Sequence, residues 1–149
     1  MKRNVSTGLL AVLTMFLLVT GCKPKDKTPV SELIAKAWTA QRVDHNTTTV
    51  YTKGGTSNTV QGYAQFSLNL SAAPSVTYKE FDGNTFSGQY ELQGDNKLIL
   101  KNLSPQPTGS NGTLEFTINS VTDSELKLTR LTASQKTGGT INTYTLSNP

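Results

Sequence analysis

The run from Val60 to Leu70 alternates with a period of two, and that alternation limits what this chain can become. Val60, Ala64, Phe66, Leu68 and Leu70 fall on one side of an extended segment, with Gln61, Gln65, Ser67 and Asn69 on the other. Successive side chains of a strand point to opposite faces, so this is the signature of a sheet with one dry face and one wet face. Phe86–Leu92, Leu114–Ile118 and Leu126–Leu128 repeat it, and Trp38–Asp44, Thr47–Thr52, Val76–Phe81, Lys97–Leu103 and Ile141–Leu146 fit it less regularly. Between them stand turn formers: Gly54-Gly55, Pro74, Asp82-Gly83-Asn84, Gly94-Asp95-Asn96, Asp123-Ser124 and Gly138-Gly139. Short strands at regular spacing form an antiparallel meander, and closing it on itself leaves no unpaired edge. The pattern therefore predicts an all-β fold, an antiparallel up-and-down barrel of about eight strands, with a two-sheet sandwich as the alternative. A short helix should precede it, with Thr28 as cap, Pro29 in the first turn, and Val30, Leu33, Ile34 and Ala37 on one face. Ser104 to Gly112 reads as a flexible loop.

The first 21 residues have a different composition. Lys2 and Arg3 precede a charge-free apolar run, Gly8 to Val19, which has the length of a signal-peptide core. A membrane span needs about 20 such residues. Val19-Thr20-Gly21-Cys22 follows and resembles the lipobox of bacterial lipoproteins. That resemblance implies a signal peptide over 1–21, cleavage before Cys22 and acylation of Cys22, palmitate included. A short tether then runs over 22–28, and the barrel domain occupies 29–149. Several acyl chains make a durable membrane anchor where one does not. Cys22 is the one cysteine in the chain, so its acylation leaves no thiol for a disulfide, a metal or a nucleophile.

Charge excludes one class of partner. The formal net charge is +4, but from Thr28 onward nine basic and nine acidic side chains cancel. The basic excess lies at Lys2, Arg3, Lys23, Lys25 and Lys27, and what remains after cleavage adjoins the bilayer, where anionic headgroups favour it. The domain carries no basic footprint for nucleic acid. An aspartate after the lipidated cysteine would signal retention in the inner membrane. Lys23 stands there, and Lys23-Pro24-Lys25 occupies the place of an acidic surface-export run. The expected location is the outer membrane, facing the periplasm.

Catalytic and metal chemistry find little support. His45, the one histidine, sits in Asp44-His45-Asn46 and reads as a solvated turn residue. Without a second histidine or a free thiol, no zinc site is expected, and no cofactor is implied. Glu80 and Glu91 lie on neighbouring strands and read as surface charge rather than as a glycosidase pair. Asp82-Gly83-Asn84 and Gly94-Asp95-Asn96 lack the run of oxygen ligands and the closing Glu of a calcium loop. The expectation is a protein without enzymatic activity.

Leu33-Ile34-Ala35-Lys36-Ala37-Trp38 at the first strand, Gly88-Gln89-Tyr90-Glu91-Leu92, and Asn96-Lys97-Leu98-Ile99-Leu100 together resemble the lipocalin-like (calycin-type) domains of bacterial surface and periplasmic lipoproteins. Phe116-Thr117-Ile118, leading through Val121-Thr122-Asp123-Ser124 to Glu125-Leu126-Lys127-Leu128, is similar to the closing hairpin of that family. The resemblance covers most of residues 33–130; Ala35 and Lys36 stand where lipocalins favour a glycine. It implies a calyx of about eight strands, in some members holding a small apolar ligand.

The candidate lining is aromatic. Trp38, Phe66, Tyr78, Phe86, Tyr90 and Phe116 fall on the inner faces of their strands, and Gly62, Ala64 and Gly88 are small at inner positions, which would leave room. Two functions follow. One is a lipid-anchored carrier of a small apolar or amphipathic ligand, with the Tyr78 and Tyr90 hydroxyls as polar contacts. The other is an envelope interaction module with a filled core, a complex subunit or inhibitor, that meets a protein partner through its surface and the Ser104–Gly112 loop.

Overall fold

The computed structural model describes residues 27–149. The signal segment, Cys22 and the first part of the tether therefore lie outside the described residues. A short helix α1, Val30–Ile34, leads into nine strands: β1 Ala37–His45, β2 Thr48–Thr52, β3 Ser67–Ala72, β4 Ser75–Lys79, β5 Thr85–Gln93, β6 Lys97–Ser104, β7 Leu114–Val121, β8 Glu125–Arg130 and β9 Asn142–Ser147. All pairings between these strands are antiparallel. From β3 to β9 each strand pairs with the next, and β1 pairs with β9 to close the ring. The result is an eight-stranded up-and-down barrel, as the alternation predicted; the sandwich is excluded.

β1 is long enough to serve two neighbours on one side. Its first residues, Ala37 to Thr39, pair with β3, and Arg42 to His45 pair with β2, which lies outside the ring. The other side of β1 runs along β9 from Thr39–Ser147 to His45–Asn142.

The two ends of the barrel are built differently. At the floor, tight turns join β3 to β4, β5 to β6 and β7 to β8, and α1 packs against β7. Ile34 and Trp38 are fully buried there, and the Trp38 indole donates to the Ile34 carbonyl at 2.9 Å. Lys36 reaches Asp123 in the β7–β8 turn, tying the helix to the floor. The helix departs from expectation in detail. Pro29 rather than Thr28 occupies the cap position, with no side-chain capping bond, and Ala37 is already an exposed residue of β1. Five residues make barely more than one helical turn, so there is no room for a second row of the apolar stripe.

The upper end carries the longer connections: Lys53–Val60 with the segment that follows it, the β4–β5 turn, the β6–β7 loop and the β8–β9 loop. The β6–β7 loop, read from sequence as flexible, is closed by hydrogen bonds from Leu103 N to Gly112 O, Ser110 N to Pro107 O and Thr113 N to Ser110 O, and Pro107 is buried.

One strand expectation is corrected here. Gln61–Gln65 is a 3-10 turn, and β3 begins only at Ser67. In a helical turn of period three the side chain of Tyr63 faces inward while Ala64 faces water. Gly62 explains the switch. A Cβ at this position would stand 2.2 Å from the Phe81 carbonyl oxygen, so only glycine lets the turn lie on the β4–β5 connection. Gly88 is also small for the sake of the backbone. Its Cβ would stand 2.6 Å from the Lys101 carbonyl, beside a register shift between β5 and β6. Neither glycine, nor Ala64, opens space inside the barrel.

Candidate functional site

All six aromatic residues singled out from the sequence are buried, but they divide between the two ends. Trp38 belongs to the floor. Tyr90 has its hydroxyl donated to the Leu70 carbonyl at 3.0 Å, which commits its polar atom to the barrel wall. The remaining four lie toward the upper end in one connected layer, joined by two further tyrosines, Tyr144 and Tyr63. Phe66 stacks on Tyr144 with ring centres 5.0 Å apart and meets Tyr78 edge-on at 5.6 Å. Tyr78 stacks on Phe86 at 5.9 Å, and Phe116 meets Tyr144 edge-on at 6.2 Å. Such offset and T-shaped contacts are the favourable arrangements of ring quadrupoles.

Tyr63 closes this layer. Delivered by the Gln61–Gln65 turn, its ring lies 5.1 Å from Phe81, 6.1 Å from Tyr51 and 6.3 Å from both Phe66 and Tyr144. Its hydroxyl is 2.8 Å from Nε2 of His45. The histidine is thus a half-buried partner of the cap, which corrects the reading of it as a solvated turn residue. Burial holds its imidazole below the usual value, and the ring tautomer sets which of the two groups donates.

Polar groups run through the apolar layer. Glu80, read from sequence as surface charge, is 5% exposed. The alternation Val76, Tyr78, Glu80 carries it inward past the end of β4. One carboxylate oxygen accepts from the Tyr78 hydroxyl at 3.4 Å and the other accepts from Lys136. Lys136 comes from the 3-10 turn Gln135–Thr137 in the β8–β9 loop and also donates to Asp82 at 2.7 Å. Its ammonium lies 5.4 Å from the centre of the Phe86 ring. One lysine thereby straps the β8–β9 loop to the β4–β5 turn. Burial alone would raise the Asp82 carboxyl, but hydrogen bonds from Lys136 and Asn84 outweigh it and hold the group below its ordinary value. Burial would lower the Lys136 ammonium, and its two carboxylate partners raise it instead. Glu91, in contrast, pairs with Lys101 on the outer surface, as a surface charge should.

Arg130 ends the alternation Leu126, Leu128, Arg130 on the inner face of β8 and is 4% exposed. Across the ladder it faces Phe116. Burial raises the phenols of Tyr63, Tyr78 and Tyr144, and the Arg130 charge pulls each of them back down. Asn142, also buried, donates to the Tyr144 hydroxyl at 3.4 Å and accepts from Thr140 at 2.7 Å. Among the described residues no group of three or more His, Cys, Asp or Glu side chains gathers as a metal site would require.

Sequence alternation contained the signal for Glu80, Arg130 and Tyr144, each two residues from an inward apolar neighbour. It held none for Tyr63 or Lys136, which come from turns.

No protein family model matches the sequence, and no curated protein matches it. Among solved structures, the barrel is similar to a lipocalin-like protein from Bacteroides uniformis, at 18% identity and a TM-score of 0.46, over 76% of this chain and 96% of that one. It is also similar to an uncharacterized protein from Bacteroides eggerthii, at 14% identity and a TM-score of 0.46, over 76% of this chain and 98% of that one.

Proposed function

We propose that this protein is a lipid-anchored binding protein of lipocalin type that takes a small apolar or amphipathic molecule at the upper end of its barrel. One observation carries the reading. Phe66, Tyr78, Phe86 and Phe116 gather in a single layer threaded with polar side chains, and a short turn bearing Tyr63 closes it where a strand or long helix would seal it more firmly. Binding sites have this make-up, an apolar wall with a few placed polar groups. Entry would require the Gln61–Gln65 turn to lift and Tyr63 to swing outward. The role is non-enzymatic, and the anchor is Cys22, on the outer membrane with the barrel facing the periplasm.

A second reading has its own observation. The rings contact one another directly, Phe66 on Tyr144 at 5.0 Å, as side chains of a filled core do. On that reading the protein acts as an envelope interaction module through its surface.

Replacement of Phe116 by Asp separates the two. A ligand site predicts that a neutral fluorescent apolar probe binds the wild type and loses affinity at least tenfold in a folded Phe116→Asp protein. A probe that fails to bind the wild type supports the filled core instead. The anchor has a separate test. Labelled palmitate should enter the wild-type chain and not Cys22→Ala, and protease applied to intact cells should leave the domain uncut.

A further inference from the structure

We propose that Arg130 anchors an anionic head group, so that the mouth of the barrel takes an apolar carboxylic acid, its carboxylate on the guanidinium and its apolar body among the aromatic rings. The proposal rests on the reading of the upper end as a binding site and names the ligand class for it.

Arg130 is a buried cation without a matching anion. Among the described residues it forms no ion pair, and its buried Nε has no hydrogen-bond partner. A charged group taken out of water is normally compensated in just these two ways. The buried acid, Glu80, is already engaged: it accepts from Tyr78 with one oxygen and from Lys136 with the other. Lys136 also takes up Asp82, so the acidic groups of this end are held by the strap and the arginine is left over.

The placement suits a ligand. Strand alternation points Arg130 into the barrel beside Leu128, and the ladder sets it opposite Phe116. The Arg130 charge is felt by the phenol of Tyr144, which burial keeps protonated and which accepts from Asn142, so its own proton is left to donate to an anion. A guanidinium offers a planar fork of donors that a carboxylate meets with two parallel hydrogen bonds. An aliphatic or aromatic body attached to that carboxylate would lie against Phe66, Phe86 and Phe116. A neutral alcohol of the same length would gain the apolar contacts and forgo the fork.

The test uses the chain from residue 22 onward with Cys22→Ser, so that its own acyl groups do not compete. Binding of dodecanoate and of 1-dodecanol is measured at pH 8 for this protein, for Arg130→Met and for Arg130→Lys. The proposal expects dodecanoate to bind at least tenfold tighter than the alcohol, with the preference abolished in Arg130→Met and reduced in Arg130→Lys. The alcohol, which makes no use of the fork, should not follow the acid's loss of affinity in either variant. The wild-type comparison stands even where a variant fails to fold. Equal binding of acid and alcohol would overturn the role of Arg130 and leave the apolar site standing. Failure of both to bind would overturn the binding site itself.

Discussion

Replacing Gly62 by alanine tests how the cap is seated over the barrel. The added methyl would start 2.2 Å from the Phe81 carbonyl oxygen and 3.1 Å from its carbonyl carbon, both backbone atoms that cannot rotate aside. Ordinary contact needs about 3.4 Å, so the Gln61–Gln65 turn and the β4–β5 connection must separate by roughly 1 Å. That motion loosens the packing of Tyr63 on Phe81 and the hydrogen bond between Tyr63 and His45. Overpacking of this kind costs about 1–3 kcal/mol. For a domain near 120 residues each kcal/mol lowers Tm by roughly 3–5 °C, so Gly62→Ala should melt about 5–10 °C below the wild type. Ala64→Ser, two residues along the same turn and exposed, serves as the control and should leave Tm within about 1 °C. Thermal unfolding followed by circular dichroism reads both. A Gly62→Ala protein with wild-type Tm would refute the claim that the turn is pressed against the Phe81 carbonyl.

Three further perturbations follow from the same contacts. Lys136→Met leaves the buried Glu80 carboxylate without its cation; discounted for the partial exposure of Lys136, the loss should be about 2–3 kcal/mol in urea unfolding. The double variant with Glu80→Gln should recover most of it. Trp38→Phe removes the bond to the Ile34 carbonyl and part of the indole volume at the floor, for about 1–2 kcal/mol. His45 is held below its ordinary value near 6.5. It is a base whose folded-state value is depressed, so its contribution is present above about pH 6.5 and is lost as pH falls through the folded value. The urea midpoint should drop between pH 7.5 and pH 5, and His45→Asn should show a smaller drop over the same interval.

The barrel was legible in the sequence because period-two alternation marks which side of each strand is dry, and the turn residues between runs fix where it reverses. That reading failed where the alternation was accidental. Val60, Ala64 and Phe66 fit a strand face, yet a 3-10 turn intervenes, since Gly62 can approach a carbonyl that any other residue would strike. The aromatic wall was found for the same reason as the strands. The polar half of the site was less visible, because Glu80 and Arg130 are charged residues at inner positions and charge ordinarily marks the wet face. What holds Glu80 there is Lys136, separated from it by 56 residues and delivered by a loop. No local pattern records such a pairing. The small residues misled in the other direction: Gly62 and Gly88 serve close backbone contacts and enlarge nothing.

The central claim, a ligand held in the barrel mouth, is tested most directly by mass spectrometry of the small molecules released when the protein, purified from the envelope of its own host, is denatured. The account predicts a stoichiometric apolar or amphipathic compound, absent from a Phe116→Asp preparation. A protein that releases nothing and binds no apolar probe would contradict it and assign the aromatic layer to core packing.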